Sequence, residues 1–233
     1  MEPPPFVRFG PDHLAAIFVT GAVAAGLSLA VRRDPDGALG RAVRIGFAGI
    51  VAAAIVAGMV RDALRGRLSV WDWVPLNLCD FEIVLAVFAL LSRRQTAYEL
   101  FYFWALSGTL LAMVTPEIQR GFPSRQFLSF FAFHGAVVTA ALFMTWGMKM
   151  RPRAGAHWRA FLWTNVYASV AAAVNIIFGR NFLYLCEKPR VPTILDWFGP
   201  WPFYIAAAEV LALGLFYLLA LPFRERAPTR IRS

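Results

Sequence analysis

Charge is scarce in this chain: Asp, Glu, Lys and Arg make up 16% of its 233 residues, while 59% are hydrophobic. So few charges exclude an ordinary water-soluble domain, in which one face of each element meets solvent. Cysteine occurs only at Cys79 and Cys186, which excludes a disulfide scaffold and leaves room for one bridge at most. Histidine occurs only at His13, His134 and His157, too few and too dispersed for a several-histidine zinc centre. Lysine is confined to Lys149 and Lys188, so the last apolar run has none for a retinal Schiff base. The opening residues, MEPPPFVRFGPDH, lack the basic start and small-residue cleavage site of a signal peptide, so the first apolar run reads as retained. Gly- or Pro-broken spans at matching positions of two halves, a sign of secondary transporters, are not evident.

What remains is apolar material in long runs, with a mean hydropathy of +0.57. About 20 residues cross the hydrocarbon core as a helix. Seven runs reach that length, near Leu14–Val31, Ala42–Val60, Trp73–Leu91, Tyr98–Thr115, Gln126–Gly147, Trp158–Phe178 and Trp201–Leu221. The expected fold is therefore all-α, a polytopic membrane protein built as a bundle of seven transmembrane helices. Residues 1–13 form an N-terminal extension, 14–221 the transmembrane domain, and 222–233 a basic C-terminal tail.

The net charge of +9 sits in the short loops between runs, where the positive-inside rule places it, so nucleic acid is not an expected partner. The first, third and fifth loops and the C-terminal tail hold the larger share of the 23 Lys and Arg. That bias predicts the N-terminus outside and the C-terminus inside, with Trp71, Trp73, Trp197 and Trp201 at the outer interface. Heavy Ala and Arg usage suggests a GC-rich bacterial source, hence a cytoplasmic membrane.

The third run carries Asn77, Cys79, Asp80 and Glu82 in its first turns. Polar groups inside a span are costly toward lipid, about 2.5–3.5 kcal/mol for Asp, and such a cluster marks a functional site by default. Counted from the run boundaries, Cys79, His134, Asn175 and Glu209 reach similar depths in the outer half, with Glu117 at its edge. Glu99 and Asn165 are the exceptions, placed toward the inner side. Cys79 and His134 are the pair suited to covalent chemistry, because an imidazole that accepts the thiol proton activates the sulfur. Asn77, Asn175 or a backbone N–H near Cys79 would stabilise an oxyanion, and Asp80, Glu82 or Glu209 would orient the imidazole. The plainer readings are a packing cysteine, a helix-bridging histidine, or a Cys79–Cys186 disulfide in an oxidising compartment.

Several stretches resemble the bacterial YwaF-like integral membrane family: Pro75-Leu76-Asn77-Leu78-Cys79, Glu99 to Trp104, and Phe130 to Gly135. The stretches Asn165 to Tyr167, Gly179-Arg180-Asn181 and Leu195 to Pro202 are similar to its later signatures. The likeness runs from about Trp71 to Leu221. It implies kinship with animal membrane proteins that resemble phospholipid acyltransferases working through a cysteine acyl intermediate with a histidine partner. By that resemblance the cysteine is Cys79 and the histidine His134; relatives often have a second histidine where this chain has Asn77. The expected activity is transfer or hydrolysis of lipid acyl chains, with membrane lipids as donor and acceptor and no cofactor or metal. The alternative is a non-enzymatic bundle that binds or moves a lipid or ion through its acidic residues.

Overall fold

The structure is a computed structural model, and it describes residues 3–66, 69, 71, 74–189 and 193–224. The basic tail from 225 onward and Trp73 lie outside the described residues. Seven helices form the bundle: α1 Pro11–Val31, α2 Ala38–Leu64, α3 Leu78–Ser92, α4 Gln95–Val114, α5 Arg125–Gly147, α6 Ala156–Phe178 and α7 Phe203–Ala220. No strand occurs among the described residues. Six of the helices are long and apolar enough to cross a membrane; α3 is the exception.

Helix ends follow from local chemistry. Pro11 opens α1, where its missing N–H costs nothing. Ser124 caps α5 by accepting the Phe127 N–H. Gly179 ends α6 in the left-handed conformation, φ +62°, with its N–H on the Asn175 carbonyl. The last carbonyls of α3 are satisfied by Arg44 of α2, whose Nη1 donates to Leu90 O at 2.6 Å and Leu91 O at 3.1 Å.

The third run is the one boundary that the structure corrects. Its helix does not start near Trp73 but at Leu78, leaving 15 helical residues, about 22 Å of rise. The chain enters the bundle instead as a non-helical segment over 74–77. Backbone of that kind persists at membrane depth only where protein buries it. Here Leu76 packs against Ala171 and Phe182, and Pro75 O accepts the Tyr167 hydroxyl at 2.9 Å. A helix expected to carry Cys79 well below its start thus carries it at the second position.

Helices α4 and α5 form the centre, with 56% of their apolar spans buried, against 11–22% in α1, α2, α6 and α7. The last four present Phe18, Leu29, Ile50, Leu162, Ile176 and Val210 outward, a surface suited to lipid. The core fills with Phe101, Phe103, Phe143, Met144 and Phe216, while Tyr98, Tyr102 and Trp104 bring polar tips that each find a partner. Contacts between loops sort the chain into two faces. Arg93 pairs with Asp36, and Gln95 donates to Arg151 O, so loops one, three and five share a face. Phe6 N–H donates to Gln119 O and Trp71 packs on Phe178, so the N-terminus and loops two, four and six share the other.

Two close approaches rest on glycines of α5. A Cβ at Gly147 would meet the Ser28 backbone of α1 and the Phe143 ring, both at 3.0 Å. Gly147→Ala is expected to lower stability by about 1–3 kcal/mol, because backbone cannot move aside as a flexible side chain can. The thermal midpoint in detergent measures it. A Cβ at Gly135 would lie 2.8 Å from Thr20 Oγ1, which fixes the contact of α1 beside His134.

Candidate functional site

Cys79 and His134 line one small cavity. Its walls are Cys79 and Ile83 of α3, Thr109 of α4, and Phe133, His134 and Val137 of α5, enclosing about 20 Å³. That is room for about one water molecule. Residues 79 and 83 are one helical turn apart, as are 133 and 137, so each helix offers one face to the same space.

Each side chain is placed by its own element. Cys79 is a free, exposed thiol in the first turn of α3. Its backbone N–H belongs to the helix's unpaired first turn and points along the positive end of the helix dipole, which favours negative charge nearby. Asn77 is the N-cap residue; its side chain donates to Asp80 Oδ2 at 3.0 Å and both remain exposed at the helix start. His134 Nδ1 lies 2.9 Å from Phe130 O. A carbonyl only accepts, so Nδ1 carries the proton and Nε2 is the basic nitrogen of the neutral ring. The imidazole is also stacked on Phe130, with centroids 4.0 Å apart. A carbonyl and a ring face therefore orient His134, in place of the carboxylate expected from Asp80, Glu82 or Glu209.

Thr109 is the cavity residue that sequence reasoning passed over. It ends a π-helical segment, Ala105–Thr109, inside α4. Such segments shift the register of one turn and are frequent at functional sites. The Thr109 hydroxyl donates to Glu82 Oε2, and both residues are buried. Glu82 Oε1 has no hydrogen-bond partner. The signal available in the sequence was the small, polar Ser107-Gly108-Thr109 in an otherwise apolar span.

The other expected site residues go elsewhere. The Asn175 amide is spent on the turn after α6: Nδ2 donates to Phe182 O at 3.0 Å, and Oδ1 accepts Phe182 N–H at 2.8 Å. Glu209 of α7 accepts from Asn165 Nδ2 at 3.0 Å, so these two sit level with each other between α6 and α7. Glu117 is exposed in the loop after α4, its carboxyl pushed up by burial of part of its surface. The phenol of Tyr184, in the loop after α6, is pushed up by burial first, then by Glu117 and by Cys79. Leu183 and Tyr184 there hold φ of +57° and +54°, and the Tyr204 hydroxyl donates to Tyr184 O at 2.5 Å. Cys186 is likewise a free thiol, so the two cysteines are not bridged.

Seven packed helices, six of them membrane-length, with a small cavity between the central pair and a shortened third helix, define a polytopic integral membrane protein. Residues 8–220 match the model of the TMEM164 family, and the chain belongs to that family of membrane proteins. No curated protein and no solved structure matches the chain.

Proposed function

We propose that the protein transfers or hydrolyses lipid acyl chains through a thioester on Cys79, with His134 as general base. One observation carries this reading: a free thiol and an imidazole whose basic nitrogen is Nε2 share a cavity the size of one water. The likeness to the YwaF-like family and its acyltransferase-type relatives points to the same two residues. In the first step His134 Nε2 takes the thiol proton while Sγ attacks an ester carbonyl carbon of a phospholipid. The Cys79 backbone N–H stabilises the oxyanion. The C–O bond breaks, the leaving lysolipid oxygen takes the proton from His134, and the acyl group stays on sulfur. In the second step His134 takes a proton from water or a lysolipid hydroxyl, whose oxygen attacks the thioester. The C–S bond breaks and the sulfur recovers the proton.

Thr109 serves the second step. Its hydrogen is committed to Glu82, so it offers the cavity only lone pairs. With His134 Nε2 it makes a pair of acceptors, suited to a molecule that donates twice, as water does. Thr109→Val keeps the shape and removes the acceptor. It is expected to slow thioester breakdown about tenfold or more, within the range for lost positioning, so that acyl-enzyme accumulates. Quantifying acylated protein against time after mixing with phospholipid vesicles checks it; wild-type levels throughout would remove Thr109 from the account. The proposed setting is a bacterial cytoplasmic membrane, with the cavity in the outer half.

The test of the whole reading is lipid turnover by protein reconstituted in mixed phospholipids, followed by mass spectrometry of the lipids. The reading requires new acyl species or free fatty acid from wild type and none above background from Cys79→Ala. Turnover unchanged in that variant, but lost in Glu82→Gln and Glu209→Gln, would favour lipid or ion binding through the acids.

A further inference from the structure

The opposite face of α3 borders a second and much larger space. Phe81 and Phe88, one heptad apart, face away from Cys79 and Ile83 and wall a groove of about 560 Å³ with Leu100 of α4 and Trp163 of α6. The volume falls in the range of sites that hold a drug-sized apolar ligand. Its apolar length ends at Arg94, Gln95, Thr96 and Ala97, where α4 begins on the face of loops one, three and five. The groove is thus apolar along its wall and basic at one end.

That basic end is free to bind. Neighbouring Arg93 is held by Asp36, and Arg153 and Arg159 are held by Glu99. The Arg94 guanidinium has no hydrogen-bond or ion-pair partner among the described residues, and it is exposed. Arg94 is also the N-cap of α4 and makes no side-chain cap bond, so the first-turn N–H groups behind it add a second anion-favouring element. An occupant must therefore carry an anionic head and an apolar tail at once.

We propose that this groove holds one anionic glycerophospholipid of the adjoining leaflet, with its phosphate on Arg94 and an acyl chain along Phe81, Phe88, Leu100 and Trp163. The site is separate from the Cys79 cavity, because α3 stands between them, and it does not rest on acyl transfer.

Trp163 supplies the readout. Full-length protein in phosphatidylcholine vesicles is titrated with brominated phosphatidylglycerol, and the difference between wild type and Trp163→Phe isolates the quenching of that indole. The expected curve saturates at a lower mole fraction than the bulk lipid average, and Arg94→Ala weakens it about fivefold, the worth of one basic residue near a charged headgroup. Ala97→Trp, which fills the groove, is expected to abolish the saturable part, and native mass spectrometry of the same proteins is expected to show one phospholipid retained by wild type and not by Ala97→Trp. Quenching proportional to bulk composition in wild type and Arg94→Ala alike would overturn the proposal. So would equal quenching by phosphate-free brominated diacylglycerol, or displacement by millimolar inorganic phosphate, which would make the ligand a free anion.

Discussion

Cys79→Ala is expected to lower lipid acyl turnover by a factor of about 10³ or more, the loss seen when a covalent nucleophile is removed. Little else should change. The cysteine is unbridged, so its removal breaks no crosslink, and the lost sulfur only enlarges a cavity that already has room for one water. His134→Ala is expected to cost nearly as much, and the double variant no more than either, since nucleophile and base act as one unit. The ring's Nδ1 is already committed to Phe130 O, so His134→Asn, which can keep a bond to that carbonyl but has no base, should be as inactive as alanine. Turnover rates in phospholipid vesicles, compared at equal folded protein, separate these outcomes. Additive losses in the double variant would mean that the two residues do not share a step.

The second large effect concerns stability rather than chemistry. Glu99 of α4 is 2% exposed and gathers the loop between α5 and α6. Its Oε1 accepts from Arg153 Nε at 2.8 Å, from the Arg153 backbone N–H at 2.9 Å and from Gln95 at 3.0 Å. Its Oε2 accepts from Arg153 Nη2 at 3.1 Å and Arg159 Nη2 at 2.9 Å. Glu99→Ala is expected to destabilise the bundle by about 3 kcal/mol, because one deletion leaves two guanidinium groups and a backbone N–H without their acceptor. Arg153→Ala should cost far less, since its side chain is half exposed and Arg159 still neutralises the carboxylate. Thermal midpoints in detergent give the order. Equal losses in the two variants would show that the pair acts as a surface ion pair, not as a buried hub.

Much of this architecture was readable from hydropathy. Six apolar runs fall within a few residues of their helices, because a span must satisfy its own backbone and therefore runs until the polar loop residues begin. The third run failed for a specific reason. Hydropathy sees that Val74, Pro75 and Leu76 are apolar but not that they are non-helical; the Leu76 N–H turns back onto Val74 O, and the Pro75 carbonyl and the Leu76 side chain are taken up by Tyr167, Ala171 and Phe182, residues about a hundred positions away. Reading depth along a continuous helix then gave Cys79 a deeper position within its helix than it has. The Cys79–His134 cavity was legible, since a thiol and an imidazole in spans are rare and few other residues compete. Asn175 and Glu209 were legible as polar but not as partnered. Their hydrogen bonds go to Phe182 and Asn165, contacts that a one-dimensional depth count cannot supply. Thr109 was missed because a threonine in a span is ordinary until a π-helical turn sets it against Glu82.

The most direct test of the central claim is intact-mass spectrometry of the purified protein after exposure to mixed phospholipids, with and without hydroxylamine, beside Cys79→Ala. The account predicts an added mass of one fatty acyl group, removed by hydroxylamine, absent from Cys79→Ala and enriched in Thr109→Val. An unmodified thiol mass in wild type and Thr109→Val alike would contradict it.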